Sequence, residues 1–101
     1  MDGKPTYDLQ HLQQLVGQGH LSRGITEAAE RGATGLHLQE GDIIEAVLEL
    51  SNADFYKSME AEKCPGLWQD VYHLRRGETV IYIKLQLSPD GRAIVVQFKE
   101  K

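Results

Sequence analysis

Apolar residues recur at two different periods along this chain, and the change of period divides it near residue 50. In YDLQHLQQLVGQG, Leu9, Leu12, Leu15 and Val16 fall at helical spacing, and Gly17 or Gly19 ends the run. The stretch TEAAERG predicts a short second helix with Thr26 as its N-cap and Gly32 as its stop. In EGDIIEAVLEL, Ile43, Ile44, Val47 and Leu48 share one face while Glu45 and Glu49 take another, which predicts a third, amphipathic helix. Beyond that point the period drops to two. LWQDVYHL is rich in aromatic and branched residues, and Trp68 and Tyr72 alternate onto one face with Asp70; the two aromatics are expected in the core or behind a site, the alternative being open platforms for stacking. ETVIYIKLQL and RAIVVQFKE flank SPDG, whose Pro, Asp and Gly suit a hairpin turn.

The hairpin fixes a register. With Pro89 and Asp90 as the turn centre, Ser88 faces Gly91, Ile83 faces Val96, Ile81 faces Phe98 and Tyr82 faces Gln97. Ile81, Ile83, Leu85 and Leu87 then share a face with Ile94, Val96 and Phe98, and a slip of one residue would mix the two sets. The opposite face shows Tyr82, Lys84, Gln97 and Lys99, with Lys99 diagonal to Tyr82 and within reach of it. Such a face is either the solvated side of an antiparallel sheet or a binding surface. The expected fold is α+β: helices from the N-terminal half packed on one face of a mainly antiparallel, curved sheet from the C-terminal half.

Length and composition add limits. A chain of 101 residues suits one domain, expected over 1–101, with one core. An apolar fraction of 41% with 26% charged is that of a globular protein, and no run of about 18 apolar residues is present to enter a membrane. MDGKPTYDLQ lacks the apolar centre of a secretory leader, and Cys64 is the only cysteine, so a reducing cytosol is the expected compartment. His11, His20, His37, His73 and Cys64 show no metal-ligand spacing, and no cofactor is expected. The net charge of −4 argues against a nucleic-acid partner, but the charge is unevenly placed. Residues 1–56 hold three basic and nine acidic side chains, net −6; residues 57–101 hold eight basic and six acidic, net +2. The second half is therefore able to face a polyanion. Arg75 and Arg76 before Gly77 are either loop charges or phosphate clamps, and His73 is either a solvated strand end or a phosphate contact. Phe55 and Met59 are expected in the core, anchoring the segment that presents Lys57. Tyr7 and His11 are expected at the surface, and Cys64, with no base nearby, is expected to be inert.

DFYKSM (54–59), WQDVY (68–72) and the terminal FKEK (98–101), with VIYIKL (80–85) between them, resemble in order and spacing the signatures of the MqsR family, toxins of type II toxin–antitoxin systems. The resemblance is tight over 54–101 and loose over 1–50. It implies a RelE-like fold used as an mRNA interferase in the cytoplasm, cutting single-stranded mRNA at a short GC-containing sequence without a metal and so halting translation and growth. It also implies a cognate antitoxin protein, with DNA contacted only through that antitoxin. The family's functional positions fall on Lys57, Gln69, Tyr82 and Lys99, and Lys84, Arg75, Arg76 and His73 are the further candidates for RNA contact. The chain departs from the family's best-known, basic members in its pI of about 5.5, and EAEKCPG (60–66) adds acid near the matched motifs.

Metal-free cleavage of RNA requires that the ribose 2′-hydroxyl lose a proton, that charge on the phosphoryl oxygens be stabilised, and that the leaving 5′-oxygen gain a proton. With no pair of histidines in the matched motifs, Lys57 or Tyr82 is the expected base or acid. Lys99 is expected to stabilise the charge, and Gln69 to orient a phosphate oxygen or a base edge. A lysine serves as a base only when burial or neighbouring cations lower its pKa, which Lys57, Lys84 and Lys99 are placed to do for one another. The alternative function is a non-catalytic binding module of the same fold, acting in antitoxin or DNA regulation.

Overall fold

The structure, a computed structural model, describes residues 3–101; Met1 and Asp2, the start of the expected 1–101 domain, lie outside the described residues. The three helices arise where the helical period predicted them. α1 (Leu9–Gln18) buries Leu9, Leu12 and Val16, is capped by the Asp8 carboxylate accepting from the Gln10 N–H, and ends at Gly19. α2 (Glu27–Gly35) starts at Thr26, whose hydroxyl accepts from the Ala29 N–H, and α3 (Glu40–Glu49) follows a short turn. α3 buries Ile43, Ala46 and Val47, with Leu50 just beyond it, while Leu48 is 46% exposed. The apolar face expected to include Leu48 is thus rotated toward Ala46, which is fully buried in the core.

Gly32 does not stop α2, which continues to Gly35. A Cβ at Gly32 would lie 1.8 Å from the backbone oxygen of Phe98. The glycine is there because helix and strand backbones touch at that point.

Five strands form one open sheet: β1 (Arg23–Ile25), β2 (Phe55–Ala61), β3 (Cys64–Arg76), β4 (Thr79–Leu87) and β5 (Ala93–Glu100), in the order β1-β5-β4-β3-β2. All neighbours are antiparallel except β1, which runs parallel to β5. The fold is therefore α+β with a mainly antiparallel sheet, as expected. One edge strand, however, comes from the N-terminal half, in a three-residue stretch too short to show a period.

The register of the β4–β5 hairpin differs from the expected one by two residues. The turn holds Pro89, Asp90 and Gly91: the Ser88 N–H reaches the Arg92 carbonyl at 2.8 Å, and Gly91 takes a φ of 86°. A β-bulge at Val96 adds a second residue, after which Tyr82 lies directly opposite Lys99 and Ile83 opposite Phe98. The bulge leaves the Val96 carbonyl free to accept from the Thr26 hydroxyl at 2.7 Å, tying β5 to the start of α2. Between turn and bulge the faces are swapped, so Ala93 and Val95 enter the core in place of Ile94 and Val96.

The core lies between the helices and one face of the sheet. Leu12, Val16, Ala29, Ala33, Ile43 and Val47 meet Tyr72, Ile81, Ile83, Leu85, Val95 and Phe98. Among the described residues no helix is long and apolar enough to cross a membrane. The other face of the sheet carries no helix among the described residues, and that face holds the candidate site.

Candidate functional site

Strand parity sets the composition of the uncovered face. On β3 the inward side chains are Asp70, Tyr72 and Leu74, all buried; the outward ones are Gln69, Val71, His73 and Arg75. Across the sheet, backbone pairing lines these up in rows. Lys99, Tyr82 and His73 stand side by side on β5, β4 and β3, and Gln97, Lys84, Val71 and Lys57 form the next row. Gln69 pairs with Met59 beyond that, and its amide donates to the Gln86 side-chain oxygen at 2.9 Å. Adjacent strands are about 4.8 Å apart, so four strands place these groups within a patch that a few nucleotides would cover.

A bulge in β2 brings one more group onto the patch. Phe55 pairs with Tyr72 and Lys57 with Val71, leaving Tyr56 unpaired between them. Phe55 turns inward and meets Tyr72 edge-on, with ring centres 5.6 Å apart. Tyr56, 56% exposed, turns outward and stacks on His73 at 4.2 Å and 21°. His73 in turn is 6.0 Å from the Tyr82 ring. Lys57 extends over Tyr56 at 5.6 Å, and Lys84 and Lys99 reach Tyr82 at 6.0 and 5.2 Å.

The residues between the site positions hold the frame. Asp70, fully buried beside Gln69, accepts from the Thr6 N–H at 3.0 Å, the Tyr7 N–H at 2.9 Å and the Ser58 hydroxyl at 2.7 Å. Ser58 directly follows Lys57. One carboxylate thus ties the N-terminal segment, β2 and β3 together behind the site, with its negative charge satisfied by three donors. The Tyr7 hydroxyl adds a bond to the Trp68 carbonyl at 2.6 Å, so Tyr7 is half-buried and structural, not a plain surface residue. In the β2–β3 turn, the Glu60 carboxylate accepts from the Gly66 N–H at 2.7 Å, so one acidic group of 60–66 is engaged in shaping the hairpin.

The patch is cationic, with His73, Tyr82 and Lys84 half-buried, and its titrating groups respond. Burial, then the Lys99 charge, lowers the Lys84 pKa; Glu62 works against this and Lys57 adds to it. Burial lowers the His73 pKa, with Lys101 and Lys57 adding to the effect. Burial raises the Tyr82 pKa, with Tyr56 contributing. Tyr72, on the inner face, is pushed up to about 12 by burial and by Asp70 and Asp8.

The sheet brings together Lys57, Gln69, Tyr82, Lys99, Lys84 and His73, and strand parity puts Arg75 on the same side. Arg76 departs from expectation: it points to the helical side, pairs with Glu49 at 2.8 Å and lines a groove with Leu36, Leu38 and Ile81. Met59 also departs, because it lies on the open face, lining a cleft of about 440 Å³ with Gln69, Lys84 and Val96. Trp68, 41% exposed, lies beyond the core that Asp70 and Tyr72 enter. Sequence reasoning missed Tyr56, since a bulge leaves no mark in the alternation, and Lys101, whose backbone N–H bonds the Val80 carbonyl and fixes the terminus beside β4.

Residues 4–100 match the family described as "Motility quorum-sensing regulator, toxin of MqsA". The chain is also 33% identical to the mRNA interferase toxin MqsR of Escherichia coli (strain K12) over 97 residues, covering 96% of this chain and 95% of that protein.

Proposed function

We propose that this chain, which belongs to the MqsR toxin family, acts as a single-domain, metal-independent endoribonuclease that cuts single-stranded mRNA at a short GC-containing sequence and thereby arrests translation. The observation that carries the reading is the convergence of Lys57, Gln69, Tyr82 and Lys99, drawn from four strands, on the one sheet face without a helix. Two exposed cations beside a half-buried hydroxyl suit a phosphodiester whose charge grows in the transition state. Lys57 and Lys99 hold the phosphoryl oxygens. Tyr82, kept protonated by burial, gives its proton to the leaving 5′-oxygen. Gln69, 9% exposed and held by Gln86, presents a fixed amide to a base edge or phosphate oxygen. Lys84, Arg75 and His73 extend the surface along the RNA. The toxin acts in the cytoplasm, where mRNA is translated, and a cognate antitoxin protein neutralises it there and provides its only link to DNA.

Purified protein is mixed with a GC-containing single-stranded RNA in EDTA. The expected products are site-specific fragments with 2′,3′-cyclic phosphate or 3′-phosphate ends and 5′-hydroxyls. Fragments with 5′-phosphates that form only when magnesium is added contradict the proposal.

A further inference from the structure

We infer that His73 is the proton acceptor of this reaction, its imidazole taking the proton from the ribose 2′-hydroxyl as that oxygen attacks phosphorus. The inference rests on the endoribonuclease reading and supplies its base. His73 lies directly opposite Tyr82 in the β3–β4 pairing, in the same row as Lys99. Its ring is stacked against Tyr56 at 4.2 Å and approaches Tyr82 at 6.0 Å, so its orientation is fixed from both sides. A phosphodiester drawn to Lys99 and Tyr82 therefore has an imidazole one strand away. Chemistry singles it out as well: ordinary lysine and tyrosine side chains titrate near 10, while an imidazole titrates near neutrality and offers a lone pair at pH 7.

The surroundings keep that lone pair free. His73 is faced by Tyr56 and Lys57 from β2, Tyr82 from β4 and Lys101 after β5, with Lys99 one strand beyond Tyr82. The charged groups that shift its titration, Lys101 and Lys57, are both cations, and these together with burial disfavour the imidazolium. In the step itself the 2′-oxygen forms a bond to phosphorus and its proton passes to His73. The P–O5′ bond breaks, and the 5′-oxygen takes a proton from Tyr82. The products are a 2′,3′-cyclic phosphate and a 5′-hydroxyl. His73 then gives its proton to water and Tyr82 takes one from water, which restores both groups.

The test compares the parent with His73→Gln in EDTA across pH 5 to 8. The base must be neutral, so the parent's kcat/KM falls about tenfold per pH unit below an inflection lower than about 6.5. His73→Gln is expected to lose roughly 100-fold or more in kcat and to lack this acid limb, with unchanged affinity for an uncleavable 2′-deoxy analogue of the RNA. A 5′-bridging phosphorothiolate, whose leaving group needs no proton, is expected not to restore it. His73→Asn, checked for an unchanged melting temperature, is read the same way in case the first variant folds poorly. A rate within about tenfold of the parent, a persisting acid limb, a loss explained by weaker analogue binding, or rescue by the thiolate overturns the assignment alone. A parent that cuts no RNA in EDTA overturns the endoribonuclease reading, and the assignment falls with it.

Discussion

Lys57 and Lys99 are exposed, while Asp70, one strand from Lys57 and two from Lys99, is completely buried. Substitution should separate the two classes cleanly. Lys57→Ala, Tyr82→Phe and Lys99→Ala should each abolish RNA cleavage while thermal unfolding shifts by less than about 1 kcal/mol, because none leaves a buried group without a partner. Cleavage at the parental rate by Lys57→Ala would remove that residue from the site. Asp70→Ala should do the reverse to stability. It deprives Thr6, Tyr7 and Ser58 of their acceptor and is expected to destabilise by about 3 kcal/mol, read by urea unfolding. A change below about 1 kcal/mol would mean that water replaces the carboxylate freely. At this scale the sequence was most legible where motif and parity agreed, as for the placement of Tyr82 and Lys99 on one face. It was silent on Tyr56, whose position depends on an unpaired residue in β2, and misleading on Arg76, whose parity turns it inward to Glu49.

Elements show the same division between local and long-range information. β4 was readable because Ile81, Ile83 and Leu85 alternate with Tyr82 and Lys84, leaving one choice of face. β5 was not, because AIVV is apolar at every position, so nothing in it opposes the bulge at Val96. Gly32 was read from local rules as a helix stop, although its meaning lies 66 residues away at Phe98. Gly32→Ala therefore tests the docking of α2 on β5. Alanine favours a helix by about 1 kcal/mol, yet the added Cβ must displace backbone, and a net destabilisation of roughly 2 kcal/mol or more is expected in thermal unfolding. Gly35→Ala, in open space at the end of the same helix, should be neutral or mildly stabilising. Equal behaviour of the two variants would contradict the close contact.

Across the whole molecule, charge divides with the layers. The helical side has the acidic excess of residues 1–56, and its Arg23 and Arg31 are engaged with Glu40 and Glu27. Lys57, Arg75, Lys84, Lys99 and Lys101 gather at the open sheet face, so an acidic protein still presents one cationic surface. Each phosphate contact on single-stranded RNA adds about 0.7 to the slope of log affinity against log salt, so these five cations, with Lys63 lining the cleft on the same face, limit its magnitude to roughly 4.2. Arg75→Ala should lower that slope by about 0.7, and Arg76→Ala, facing Glu49 on the other side, should leave it unchanged. The most direct test of the central claim, that RNA is bound and cut on the uncovered sheet face, is amide hydrogen exchange with and without an uncleavable 2′-deoxy RNA. Protection at 54–60 and 79–101, with none across α1 to α3, is the predicted result; protection confined to residues 1–50 would contradict it.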